Sequence, residues 1–127
     1  MDFSFSEEQG LLQDSIQRYI QKSYTFDARQ KILKSEEGFS RENWATFAEL
    51  GWLALPFTEQ SGGFGGTAVE TMIMMEEFGK GLVVEPYVST VIMAGSVIEA
   101  GGTTEHIEGA LAEIMAGTKF ASLAYVE

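Results

Sequence analysis

Polar and apolar positions along the chain follow a helical rhythm almost from its start. Ser6-Glu7-Glu8-Gln9 has the form of a capping box, in which the Ser hydroxyl and the Gln side chain satisfy orphan backbone N–H groups at a helix start. Leu12, Ile16, Tyr19 and Ile20 follow at i, i+4, i+7 and i+8. One stripe should therefore face a core while Gln13, Gln17 and Gln21 face mainly water. A weaker helix is expected from about Phe26 to Lys34, carrying Phe26, Arg29, Ile32 and Leu33 and ended by Ser35-Glu36-Glu37-Gly38. Ser40 is the next N-cap candidate, with Trp44, Phe47 and Ala48 as the stripe behind it and Gly51 as a C′ glycine.

The rhythm breaks between Trp52 and Gly66. Trp52-Leu53-Ala54-Leu55-Pro56 is a short apolar passage, and Ser61-Gly62-Gly63-Phe64-Gly65-Gly66 is too rich in glycine to be helical. A second capping box, Thr67-Ala68-Val69-Glu70, opens a helix with the stripe Ala68, Met72, Met75 and Phe78, flanked by Val69 and Ile73. Gly79-Lys80-Gly81 is expected to stop it. Pro86 suits the first turn of the next helix, whose lack of charge as far as Ile98 implies burial on most sides, and Gly101-Gly102 closes it. Thr103 or Thr104 caps a last helix with Ile107, Leu111, Ile114 and Met115 in register and Gly117 at its end. The remaining Phe120 to Val126 contains no Gly or Pro and ends in Tyr and Val, the pattern of a strand. The fold class is therefore all-α: an orthogonal bundle of about five to six helices, ending in the first strand of a missing β-domain. The helical domain spans residues 1–118 and the truncated second domain 119–127. A lone strand has no neighbour to satisfy its backbone groups, so the chain reads as stopping where a further domain begins.

Composition narrows the functions available. The chain of 127 residues has 8 basic and 19 acidic side chains, a formal charge of −11 that repels phosphate backbones and argues against nucleic-acid binding. Without cysteine there is no disulfide framework, thiol nucleophile or thiolate metal site, and a single histidine, His106, rules out a His-rich metal centre. The acidic N-terminus lacks the basic and apolar regions of a signal peptide. The uncharged run from Pro86 to Ile98 is about 13 residues, short of the roughly 18 that a membrane span needs. A cytoplasmic protein without a membrane span is expected.

Candidate chemistry is sparse. The glycine loop before a helix N-terminus has the setting of an anion cradle, but it lacks the Lys-Ser/Thr ending of a P-loop and the spacing of a dinucleotide fingerprint, which favours a structural turn. Met72, Met74 and Met75 suit core filling better than an adaptable binding surface. Glu76 and Glu77 point about 100° apart on their helix and do not face one another as a catalytic pair, whereas Glu76 stands four residues before Lys80, the order of a surface ion pair. His106 lies beside Glu105 and Glu108 with no local nucleophile motif and reads as a surface residue. The helix from Pro86 to Ile98 combines small residues with Tyr87, Val88, Val91 and Ile92, so it can pack tightly or line a narrow apolar slot.

Five segments in this order resemble the N-terminal helical domain of the acyl-CoA dehydrogenase family. They are Phe3-Ser4-Phe5-Ser6-Glu7-Glu8-Gln9, Leu50-Gly51-Trp52-Leu53-Ala54-Leu55-Pro56, Gly62-Gly63-Phe64-Gly65-Gly66, Glu76-Glu77-Phe78-Gly79 and Ala121-Ser122-Leu123-Ala124-Tyr125-Val126-Glu127. The resemblance implies FAD, held mainly by a β-domain and a C-terminal helical domain beyond this chain, and oxidation of an acyl-CoA thioester with electrons passed to an electron-transfer flavoprotein or similar acceptor. It implies a homo- or hetero-oligomer. The family's catalytic glutamate belongs to the C-terminal half, so no catalytic residue is assigned here and this fragment alone is expected to be inactive. The matching helix offers Tyr87, Val88, Thr90, Val91, Ala94 and Gly95 as one wall of the acyl pocket. Leu123, Tyr125 and Val126 would run beside the flavin, with Val126 standing where many members carry a hydroxyl. Val84-Glu85-Pro86-Tyr87 also resembles subunits of heteromeric relatives that lack the base or bind flavin poorly, which keeps a non-catalytic subunit as an alternative. A stand-alone helical interaction module is a third reading.

Overall fold

In a computed structural model of the chain, which describes residues 1–126, all regular secondary structure is helical. The α-helices are α1 (Glu7–Ser23), α2 (Phe26–Leu33), α3 (Arg41–Glu49) and α4 (Ala68–Gly81), followed by two composite helices. α5 begins as a π-helical stretch, Val88–Gly95, and continues as α-helical Ser96–Gly101; α6 combines Thr104–His106, π-helical Ile107–Leu111 and Ala112–Met115. A short 3-10 turn occupies Glu59–Ser61. The all-α expectation and its count of helices agree with this. The helices fall into two compact units, one combining Met1–Phe39 with Thr67–Val84, the other combining Ser40–Gly66 with the chain from Glu85 onward.

In the first unit, both expected capping boxes form. Ser6 Oγ accepts from Gln9 N at 3.2 Å while Gln9 Oε1 accepts from Ser6 N at 3.0 Å. Thr67 and Glu70 do the same for α4. Along the α1–α4 pair, Gln9 meets Glu70, Gln13 and Gln17 meet Glu77, and Ile20 meets Gly81, so the contacts advance together and the two helices run parallel. Ile16, Ile73 and Met74 are fully buried. Three expectations are corrected here. The buried face of α4 is Ile73, Met74, Glu77 and Phe78, with Met72 50% exposed. Counting apolar residues assigns Glu77 to water, and that rotates the chosen face away from α1. Gly79 and Gly81 also do not stop α4: the helix ends at Leu82, which takes the left-handed conformation (φ 51°) and closes a Schellman motif through Leu82 N–Gly79 O and Val83 N–Phe78 O. Gly81 is instead a close-approach site, where a Cβ would lie 2.7 Å from Ile20 Cγ2. Gln13 and Gln17, expected in water, are half-buried and donate to Glu77.

In the second unit, α3 ends as the C′ glycine predicts. Gly51 has φ 77°, its N–H reaches Ala48 O, Trp52 N reaches Phe47 O, and the Phe47 and Trp52 rings meet at 5.3 Å, the apolar contact that accompanies a Schellman motif. Gly117 (φ 76°) ends α6 in the same way. Trp44, Phe47, Leu53, Val91, Leu111 and Ile114 form the core. The segment from Phe120 to Val126 forms neither helix nor strand. A strand exists only against a partner, and no strand is present among the described residues to pair with it. Glu127, the end of the expected 119–127 segment, lies outside the described residues.

Candidate functional site

Helix α5, uncharged as far as Ile98, is held at its start by a buried carboxylate. Glu85 is 5% exposed, and its Oε1 accepts from Ser40 N at 3.2 Å and from Asn43 Nδ2 at 3.1 Å, while Ser40 Oγ caps α3 through Asn43 N. Pro86 then sets the first turn, its carbonyl accepting from Thr90 N at 3.0 Å. Tyr87, Thr90, Val91 and Ala94 recur at i, i+3, i+4 and i+7 and form a buried stripe. Tyr87 OH donates to Trp52 O at 2.8 Å, and burial pushes its phenol well above the usual range. Gly95 is buried against Phe57, whose Cζ would stand 2.5 Å from a Cβ there.

The six expected wall residues therefore share one helix but not one environment. Five are buried within their unit, and Val88 is 50% exposed. All of them but Tyr87, which precedes it, lie in the π-helical stretch Val88–Gly95, a geometry that occurs mostly as short insertions and often at functional sites. Thr90 is 1% exposed, and its hydroxyl donates to Ala121 O at 2.9 Å. Its partner is backbone from the terminal segment, which sequence spacing gives no means of finding.

That bond fastens the root of the segment carrying the expected flavin contacts. Phe120, one residue earlier, lies 5.2 Å from the Trp44 ring with the Arg41 guanidinium 5.2 Å from its own ring centre, a cation–π arrangement. Beyond this root the chain is exposed: Leu123 38%, Tyr125 72% and Val126 76%.

Other candidates resolve without chemistry. In the glycine loop, Ser61 N and Gly63 N donate to Thr58 O, Gly62 N to Glu59 O, Phe64 N to Ala54 O, Gly65 N to Phe57 O and Gly66 N to Leu55 O. Donors committed to the chain's own carbonyls leave no cradle for an anion, and a Cβ on Gly63 would lie 2.2 Å from Phe57 O, so the glycines serve close packing. His106 is an exposed capping residue whose Nδ1 accepts from Thr103 N at 3.2 Å. Lys80 pairs with Glu76 as expected, at 2.9 Å, and also with Glu77 at 2.9 Å.

Two cavities flank these features. One of about 350 Å³ in the first unit is lined by Gln17, Ile20, Gln21, Glu77 and Lys80. Burial pulls the Glu77 carboxyl upward, but donors from Lys80, Gln13 and Gln17 outweigh it and hold the group below the usual range. The other cavity, of about 460 Å³ in the second unit, is bordered by Thr58, Ser61, Glu99, Thr104, Ile107 and Glu108. Glu99 accepts there from Thr58 N at 2.8 Å and Thr58 Oγ1 at 2.9 Å. Burial pulls Glu99 upward too, but the Thr58 N–H with the Ser61 and Thr58 hydroxyls outweighs it, so this carboxyl is also held low.

Residues 6–118 match the family model described as acyl-CoA dehydrogenase, N-terminal domain. The chain is 29% identical over 121 residues to the acyl-CoA dehydrogenase IpdE2 of Mycolicibacterium smegmatis, covering 94% of this chain and 37% of that protein. It is 27% identical to the acryloyl-CoA reductase (NADH) of Anaerotignum propionicum, covering 100% of this chain and 32% of the relative. Its fold superposes on a chain of the ChsE4-ChsE5 complex from Mycobacterium tuberculosis with a TM-score of 0.87 at 24% identity, covering 96% of this chain and 34% of that one. The chain spans about a third of the length of these relatives. No helix among the described residues is long and apolar enough to cross a membrane.

Proposed function

Because the chain belongs to the acyl-CoA dehydrogenase family, matching its N-terminal domain, we propose that residues 1–118 are the helical domain of a cytoplasmic, flavin-dependent enzyme that oxidises an acyl-CoA thioester between its α and β carbons. Residues 119–127 begin the β-domain, and α5 lines the acyl pocket. The observation that carries this reading is the pairing of the uncharged, π-helical first half of α5 with an apolar terminal segment fastened to it through Thr90 and Ala121. Val88, exposed at the start of α5, faces the acyl chain most directly, while Tyr87, Thr90, Val91, Ala94 and Gly95 fix the shape of the wall behind it.

The residues present suit a flavin. Its isoalloxazine ring needs flat apolar contact, and the stretch Phe120 to Val126 exposes Leu123, Tyr125 and Val126 beyond an anchored root. When bound, FAD supplies the hydride acceptor. This chain's part is to bind and orient the acyl group and to exclude water. No described residue is assigned the role of α-proton base, and Glu77, the buried carboxylate of α4, is held by Gln13, Gln17 and Lys80 of its own unit. The electron acceptor would be an electron-transfer flavoprotein or a similar protein.

The test is to purify the product of the whole reading frame containing this chain. Bound flavin, bleached anaerobically by an acyl-CoA, supports the reading; a protein without flavin that is inert to acyl-CoA overturns it. Val88→Trp should lower kcat/KM for longer acyl chains about tenfold or more while sparing the shortest; equal loss at all lengths would remove Val88 from the pocket.

A second reading is a subunit of a heteromeric enzyme. Similar folds come from the ChsE4-ChsE5 complex, and the caffeyl-CoA reductase-Etf complex subunit CarC of Acetobacterium woodii is 29% identical. Co-purification with a second, related polypeptide on which flavin binding depends would favour it.

A further inference from the structure

The Thr90 hydroxyl is the least expected feature of α5. A helical threonine usually turns its hydroxyl back to a carbonyl three or four residues earlier. Here Thr90, 1% exposed and inside the π-helical stretch, donates instead to Ala121 O at 2.9 Å. Ala121 is the last half-buried residue before the chain becomes exposed at Ser122. Phe120 beside it contacts the Trp44 ring and the Arg41 guanidinium, so adjacent residues of the segment are gripped in different ways, by ring contact and by a buried hydrogen bond.

Ring contact alone leaves a chain free to rotate and slip, because aromatic packing has broad minima. A buried hydrogen bond to one named carbonyl does not. Paired as the first strand of the proposed β-domain, the segment would alternate its side chains between faces, so a slip of one residue would exchange Leu123 and Tyr125 for Ser122 and Ala124 on the face they occupy. We infer that Thr90 is a positioning residue: its hydroxyl fixes the register in which Leu123 and Tyr125 meet the flavin, and so couples the acyl-pocket wall to the flavin edge. Thr90 is then not a ligand of the acyl chain. This rests on the function proposed above, and the two fail in different ways.

The test compares Thr90→Val, which removes the hydroxyl at constant shape, with Thr90→Ser, which keeps it, in the product of the whole reading frame. Two readouts are taken: amide hydrogen exchange of Ser122 to Tyr125 in apoprotein, and the visible spectrum and reduction potential of the bound flavin. The expected result is exchange about tenfold faster in Thr90→Val, the scale of one lost hydrogen bond, with a shifted flavin spectrum and potential and both properties restored in Thr90→Ser. Should Thr90→Val not fold, Thr90→Ala removes the same hydroxyl without setting a methyl against Ala121 O. Faster exchange with an unchanged flavin overturns the coupling and leaves only a local anchor. Unchanged exchange overturns the anchor as well. A wild-type protein without flavin defeats the functional reading and with it the register role, while the exchange data still report whether Thr90 holds Ala121.

Discussion

Glu77 and Glu70 show how far a carboxylate's surroundings decide its meaning. Glu77 is 2% exposed, and its Oε1 accepts from Gln13, Gln17 and Lys80 at 2.9, 3.2 and 2.9 Å. Bonds to a charged acceptor contribute more than neutral ones, so Glu77→Ala should destabilise the chain by about 2 kcal/mol in urea unfolding. Because its folded pKa is depressed, that contribution is present above the ordinary carboxylate value of 4.5 and fades as pH falls through the folded one. Glu70 gives a sharper window. Hydrogen bonds from the Thr67 side chain first, and then from Gln9, hold its carboxyl at about 2. Its stabilising effect is therefore complete above pH 4.5 and lost between 4.5 and about 2. Glu70→Gln should flatten the pH dependence of stability in that interval at a cost of about 1 kcal/mol at neutral pH, the ordinary worth of a helix cap. An unaltered acid limb in denaturant titrations would show that the capping box does not govern it.

Helix ends reveal which parts of the fold were legible in advance. Ser6, Ser40 and Thr67 were readable as caps, and Thr103 as one of two adjacent candidates, because side-chain capping is local chemistry, decided within a few residues. Gly51 was readable for the same reason: only glycine enters the left-handed region without penalty. The end of α4 was not. Gly81 answers to α1, where it admits Ile20, and the left-handed position falls on Leu82, which is 59% exposed and whose carbonyl accepts from Arg29 Nε at 2.9 Å. Nothing local announces such a choice. It carries a testable cost, since leucine is strained at φ 51° and has little packing to lose. Leu82→Gly should raise stability by about 0.5–1 kcal/mol, the left-handed penalty less the entropy of glycine; a loss measured by thermal or urea unfolding would mean that its exposed side chain contributes more than the backbone strain removes. The candidate site divides in the same way. The composition of α5 made it recognisable, whereas the Thr90–Ala121 bond and the burial of five wall residues arise from pairings across some thirty residues of chain, which periodicity does not encode.

Charge bears on what this chain does with the proposed substrate. Acyl-CoA has two dissimilar parts, an apolar acyl chain and a nucleotide carrying a pyrophosphate and a 3′-phosphate. With 19 acidic side chains against 8 basic, the chain is poorly suited to the second. Its basic groups are partly committed as well: Lys80 to Glu76 and Glu77, Lys119 to Glu113, and Arg29 to the Leu82 carbonyl. The acyl end asks only for apolar surface, which α5 has. The 127-residue chain should therefore bind free CoA more weakly than about 1 mM, corresponding to less than about 4 kcal/mol, while the product of the whole reading frame binds acyl-CoA far more tightly. Titration calorimetry of the chain with CoA, repeated at low and high salt, checks this. Heat that saturates below that concentration and weakens with added salt would reveal a phosphate site among these residues. Absence of heat at both ionic strengths would assign the nucleotide to other parts of the enzyme, leaving this domain the acyl wall and the support of the flavin-facing segment.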